Sequence, residues 1–331
     1  MNTINGNENY FQIKSFKNVL RLNCYQSPKW SKFNYNFRNF TQPREIFQLN
    51  NCKFKKHTNF TRIAELLNAL NINELHFMNT IQLEKIGYGK KLFEGFDNLK
   101  ILTIQNNVNL TTMNYDSLIF LPQLKTLNLH NNSLTTIPFN LFQSLSNLTG
   151  LKLSKNNIQS LQWNLFQNLN KLQNLDLSHN KINDLEPAIF DELINLEILY
   201  LNNNQFVWLP EYSFLKLTNL KYLDLMSNNL QSLLETVFRN NRKLISLNLE
   251  NNSLKTLPER IFARSVNLEA LNIGNNQLQS IPENLFSSLE NLVTLNLEGN
   301  QLKSFYDLTF MNLKKLKHLY LSRNQLDNLA E

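Results

Sequence analysis

From residue 124 onward the apolar positions recur on one spacing. Leu124, Leu127, Leu129, Leu134 and Ile137 surround Asn132, and a step of 24 residues sets Leu148, Leu151, Leu153, Ile158 and Leu161 around Asn156 in the same way. Further steps reach units beginning at Leu172, Leu196, Leu220, Leu244, Leu268, Leu292 and Leu316, nine in all without an insertion or deletion, the last incomplete. The fourth and sixth positions of each unit are apolar and the third and fifth turn outward, the period-two alternation of a short strand with one buried face. A repeat of this length marks a solenoid, whose successive strands pair in parallel about 4.8 Å apart. The ninth position is Asn in every unit, from Asn132 to Asn324. An amide carries two donors and an acceptor, so a stacked Asn column can satisfy backbone groups where the chain leaves each strand.

A second column, Phe142, Phe166, Phe190, Phe214, Phe238, Phe262, Phe286 and Phe310, falls six residues before the next unit and reads as core. Pro138, Pro210, Pro258 and Pro282 follow the last apolar position and are expected to fix an extended turn on the outer side. Helical periodicity is weak there, so turns, short 3₁₀ pieces and extended segments are expected. Upstream the spacing loosens. Leu99, Leu102, Ile104 and Asn107 open a 25-residue unit; Ile72, Leu75 and Phe77 open a 27-residue unit with Thr80 in place of Asn. A strand is expected near 46–52. Ile63, Leu66, Leu67 and Leu70 are spaced for a short helix near 61–70 with Thr61 as its N-cap.

The spacing LxxLxLxxNxLxxL is identified as the leucine-rich repeat pattern. It implies an α/β fold: a right-handed solenoid (horseshoe) with a parallel concave β-sheet and an irregular convex face. The expected organisation is an amino-terminal cap over 1–71 and leucine-rich repeats over 72–331. The segment stops within the unit that began at Leu316, with no capping repeat after it, which leads us to expect a natural sequence that continues.

Composition narrows the classes. Apolar residues make up 42% and charged residues 18%, a globular balance. No run approaches the roughly 20 apolar residues of a spanning helix, and the first 20 residues show no secretory apolar core. Residues 1–60 hold 10 Lys/Arg against 2 Asp/Glu, and the rest 23 against 24, so a basic end adjoins a near-neutral body. Asn occurs 57 times, so Asn-x-Ser/Thr triplets at Asn39, Asn59, Asn109, Asn131, Asn147 and Asn251 are glycosylation candidates; about six or seven are expected by chance.

The 24-residue unit with its Phe is similar to the "typical" repeats of extracellular proteins and receptors. The stretch Phe47-Gln48-Leu49-Asn50-Asn51-Cys52, then Phe60 to Leu70, then Asn73-Glu74-Leu75-His76-Phe77, resembles the amino-terminal cap of insect Toll receptors. That resemblance implies a disulfide between Cys24 and Cys52, an extracellular or cell-surface ectodomain, and a protein ligand, specifically a dimeric cystine-knot cytokine of the Spätzle type. It also implies receptor pairing as a homodimer, with membrane attachment only through sequence beyond this chain. Read from the residues alone, the two cysteines leave open a pair of buried free thiols in a cytosolic protein. The alternative function is a secreted leucine-rich repeat immune or adhesion protein without a signalling domain.

No catalytic residue, cofactor, metal or nucleic-acid partner is expected. His57, His76, His130, His179 and His318 lack metal-ligand spacing, there is no GxSxG or HExxH, and Gly87-Tyr88-Gly89-Lys90-Lys91 lacks phosphate-loop spacing. Asp176 and Asp224 share the fifth position two strands apart, roughly 10 Å, too far for a catalytic pair. The outward positions gather Ile198, Tyr200, Tyr222 and Met226 between Asp176 and Asp224. Aromatic anchors in a polar rim suit a protein-binding hot spot; cross-strand aromatic pairing that stiffens the sheet is the structural alternative.

Overall fold

The computed structural model describes residues 2–5, 11–15, 18–25, 45–53, 61, 64–65, 67, 69, 71–80, 93–108, 110–113 and 115–327. The chain divides into two compact units, Met1–Ile158 with Asn164–Leu169, and Gln159–Trp163 with Asn170–Glu331.

The first unit opens on strands β1 (Asn2–Asn5), β2 (Phe11–Ser15) and β3 (Val19–Cys24), which pair antiparallel. From β3 the pairing turns parallel and runs through β4 (Ile46–Asn50), β5 (Glu74–Met78), β6 (Ile101–Gln105), β7 (Thr126–Asn128) and β8 (Gly150–Lys152). Alternation decides which face is buried: Phe47 and Leu49, Leu75 and Phe77, and Leu102 and Ile104 are fully enclosed. Cys24 ends β3 and bonds to Cys52 just past the neighbouring β4, with their Cα atoms 4.9 Å apart. The pairing implied by the Toll resemblance is thus present, and the free-thiol alternative falls. Of the helix expected near 61–70, Thr61, Ala64 and Glu65 are helical. Thr61 Oγ1 donates to Glu94 O at 3.5 Å. Much of the remainder, and the loop 87–91, lie outside the described residues.

The second unit carries seven three-residue strands, β9 (Asn174–Asp176), β10 (Ile198–Tyr200), β11 (Tyr222–Asp224), β12 (Ser246–Asn248), β13 (Ala270–Asn272), β14 (Thr294–Asn296) and β15 (His318–Tyr320). They pair in parallel and in register, unit on unit. The Asn column works as its chemistry suggested. Asn204 Nδ2 donates to Leu201 O and, one unit back, to Leu177 O, both at 3.0 Å, while its Oδ1 accepts from Ile182 N at 3.1 Å. On the far side, Phe190, Phe214, Phe238 and Phe262 stack with centroids 6.2–6.4 Å apart and interplanar angles of 8–13°. That spacing exceeds the roughly 4.8 Å between strands, so the phenylalanine side is the longer one and the sheet is the inner face of this unit.

The outer side differs in detail from expectation. Pro138, Pro210, Pro258 and Pro282 start tight turns rather than extended ones, each carbonyl accepting from the amide three residues on at 3.0–3.2 Å. Each proline supplies only its carbonyl to the turn, and its missing N–H is not needed there. Among the described residues one 3₁₀ turn is present, Tyr115–Leu118. No helix among the described residues is long and apolar enough to cross a membrane.

Candidate functional site

The parallel register brings five of the six inner-face candidates onto three adjacent strands, with Met226 just past the end of β11. Tyr200 stands directly between Asp176 on β9 and Asp224 on β11, and Ile198 lies beside Tyr222. Met226 follows two residues after Asp224. Tyr200 and Tyr222 are each 41% exposed, while Ile198, Met226, Asp176 and Asp224 are half-buried. Across the strands Tyr200 is paired with Asp224 and Tyr222 with Ile198, so the two tyrosines are not directly opposed.

Both aspartates also do local work that the sequence reading missed. Asp224 Oδ1 accepts from Met226 N at 2.9 Å; Asp176 Oδ1 accepts from Ser178 N at 3.1 Å and Ser178 Oγ at 2.7 Å. This side-chain-to-backbone turn closes the end of each strand. Asn248, Asn272 and Asn296 form the same turn at the same position, to Glu250 N, Gly274 N and Glu298 N. Burial pushes the Asp224 carboxyl above the usual range; the Met226 amide opposes this, Glu250 adds to it and His179 opposes it.

Other exposed apolar residues were also overlooked. Val207 (41% exposed), Trp208 (51%) and Tyr212 (50%) belong to the same repeat as Tyr200. The twelfth and thirteenth positions hold Thr, Gln, Asn, Lys, Ser or Asp in every other complete unit, and that break in two polar columns is the signal that would have found Val207 and Trp208. In the first unit the inner face has a polar groove of about 420 Å³ lined by residues including Arg21, Gln48, His76 and Gln105. Arg21 Nε donates to Gln48 Oε1 at 2.9 Å, and His76 meets Glu74 at 3.1 Å.

The glycosylation candidates sit in structural columns. Asn131 and Asn251 are exposed, with Nδ2 donating to Asn106 Oδ1 (2.8 Å) and Ser227 Oγ (2.9 Å). Asn147 is half-buried and donates to Pro122 O at 3.0 Å. Asn39, Asn59 and Asn109 lie outside the described residues.

A family model described as "Leucine rich repeat" matches residues 122–182 and 171–230, and one described as "BspA type Leucine rich repeat region (6 copies)" matches 30–149 and 208–330. The chain belongs to the leucine-rich repeat family. Its solved neighbours share the fold: Toll in the Drosophila Toll–Spätzle complex (TM-score 0.72, 23% identity, 97% of this chain and 49% of that one) and in its glycosylated form (0.70, 22%, 98% and 50%). The chain in the TLR13–ssRNA13 complex is similar at TM-score 0.69 and 27% identity, over 85% of this chain and 47% of that one. This chain therefore spans about half the length of each. No curated protein sequence matches it. The fold is the leucine-rich repeat solenoid shared with the chains in the Toll–Spätzle and TLR13 complexes. The expectation of no nucleic-acid partner has to be withdrawn, because one of these neighbours is a complex with RNA.

Proposed function

We propose that this chain is the amino-terminal part of a Toll-like receptor ectodomain, without catalytic activity, that recognises a secreted protein ligand on its inner face. Residues 1–71 form its cap and 72–331 its repeats. The reading is carried by one observation: Tyr200 and Tyr222 are exposed as diagonal neighbours on adjacent strands, where most other repeats present small or polar residues. Rigid, half-exposed aromatics beside apolar neighbours are what interface hot spots are made of. The Cys24–Cys52 bond favours an oxidising compartment, outside the cell or in a lumen continuous with it. The ligand in this reading is a dimeric cystine-knot cytokine of the Spätzle type, and its engagement pairs two receptor copies.

The test is a calorimetric titration of such a cytokine into the wild-type chain and into the Tyr200→Ala/Tyr222→Ala double variant. The variant should keep its melting temperature and lose at least about 2 kcal/mol of binding free energy. Equal affinities would remove the inner-face site.

A further inference from the structure

Arginine is placed unevenly on the outer side of the second unit. The sixteenth to twenty-fourth positions of each repeat flank the Phe column. Arg239 and Arg242 occupy them in the repeat that begins at Leu220, and Arg260 and Arg264 in the next; no other complete repeat has an arginine there. With Lys243, Glu235 and Glu259 these two segments hold five cations against two carboxylates, whereas the following one holds Glu283 and Glu290 and no cation. The positive charge is local to two repeats.

The structure gathers three of these arginines. Arg239, Arg260 and Arg264 line one groove of about 560 Å³, together with Glu235 and Glu259. The side chains of Thr236, Asn284 and Ser287 add polar groups to its wall. All three arginines are exposed, and among the described residues none comes within ion-pair distance of a carboxylate, although two carboxylates share the groove. Glu259 instead accepts from Asn284 Nδ2 at 2.9 Å. The Arg239 guanidinium lies 5.7 Å from the centre of the Tyr212 ring. That contact orients it while its in-plane N–H groups stay available to an anion.

The same two repeats also depart from the packing pattern. The twenty-second position is Leu in the other six complete repeats but Asn241 and Ser265 here, both fully buried, and Asn241 Oδ1 and Ser265 Oγ have no hydrogen-bond partner. Burying an unpaired polar atom costs stability, so packing alone does not account for these residues. Departures of this kind gather where a chain serves function as well as fold.

We infer that this groove binds a sulfated polysaccharide chain. Each guanidinium offers a planar fork of donors that matches the paired oxygens of a sulfate. The two carboxylates decide the class of partner. A polymer that presents anions alone, such as a run of phosphates or of acidic side chains, meets Glu235 and Glu259 unfavourably. A sugar chain that mixes sulfates with hydroxyls suits both signs: the arginines take the sulfates, while Glu235 accepts from hydroxyls and Thr236 and Ser287 exchange hydrogen bonds with them. The groove lies on the side away from the sheet, so this site and an inner-face protein ligand do not compete, and either reading can fail alone.

The experiment follows fluorescence anisotropy of four labelled probes: a heparin-derived dodecasaccharide, its desulfated counterpart, a polyglutamate peptide and a single-stranded oligoribonucleotide. Each is titrated into the wild-type chain, Arg260→Gln/Arg264→Gln and Glu235→Ala, whose substituted side chains are exposed and should leave the melting temperature unchanged. The heparin fragment should bind the wild type, weaken with added salt, weaken at least about tenfold in the arginine variant and about threefold in Glu235→Ala. The other three probes should bind far more weakly. Should the double variant not fold, Arg264→Gln alone, expected to weaken binding about threefold, carries the test. Unchanged heparin affinity in the arginine variants would place the polysaccharide elsewhere, on the basic amino-terminal end, and overturn the proposal. Equal binding of the desulfated chain would overturn it as well. If Glu235→Ala binds heparin as well as or better than the wild type, the groove reads charge alone and the sugar assignment falls. Binding of polyglutamate or RNA as tight as that of heparin, lost in the arginine variant, would make the partner a protein or a nucleic acid and likewise overturn the proposal.

Discussion

An asparagine at the ninth position uses both ends of its amide at once, holding carbonyls of two units and an amide of the earlier one. Removing Asn204 takes the acceptor from buried Ile182 N and one of two Asn donors from each of the buried carbonyls Leu177 O and Leu201 O. Asn204→Ala should therefore destabilise the fold by at least about 2 kcal/mol, seen as a lower melting temperature, without altering ligand affinity. A thermally silent substitution would refute this account of the column. The same residue type fills three further columns that the sequence reading did not separate. At the fifth position it closes strands; at the eighth, Asn131, Asn203, Asn251 and Asn275 hold φ of 52–56°, a region Asn tolerates better than most side chains. Gly299 occupies that position once at φ 69°, where an added Cβ would run into Asn275 Oδ1. At the unit's last position Asn195, Asn219, Asn267 and Asn291 donate to carbonyls of the preceding repeat at 2.8–2.9 Å. The surplus of Asn was legible as a clue to architecture. Its division into four jobs was not, because each depends on which backbone groups a turn leaves unpaired.

The strands from β7 to β15 fall at the third to fifth positions of their units, where period-two alternation inside a fixed 24-residue step set them. Strands β1 to β3 escaped that reading because they are antiparallel and obey no repeat. Their signal was local: Phe11 and Ile13, then Leu20, Leu22 and Cys24, alternate with polar residues and are buried on one side. The turn at the end of β11 gives a test of how structure and charge divide there. The folded-state pKa of Asp224 is raised, so the folded chain holds the proton more tightly than the unfolded one. Folding is therefore penalised as pH climbs from the ordinary carboxylate value through the folded one, and the penalty is complete at neutral pH. Asp224→Asn keeps the acceptor for Met226 N and removes the charge. It should raise the melting temperature by about a degree at pH 7 and change nothing near pH 3. A lower melting temperature at pH 7 would mean that the carboxylate stabilises the turn in a way an amide cannot.

For the molecule as a whole, the disulfide and the inner face have separate roles. Cys24–Cys52, 28 residues apart in sequence, ties β3 to the end of β4 and restricts the unfolded chain by about 3–4 kcal/mol in the loop-entropy model. It holds the end of the sheet and is unrelated to the tyrosines. The placement of the inner-face candidates was legible in the sequence because outward positions of a regular solenoid can be counted off, and Tyr200 and Tyr222 stand among mostly polar or small residues there. The exposed Trp208 and Val207 were legible by the same logic, but only in columns that carry no strand. The central claim is that a protein ligand sits on the inner face of the second unit, and hydrogen–deuterium exchange of the chain with and without a Spätzle-type cytokine tests it most directly. Protection should rise at 198–202 and 222–226 on complex formation. Protection confined to the groove near Arg21, Gln48 and His76, with those two segments unchanged, would contradict the account.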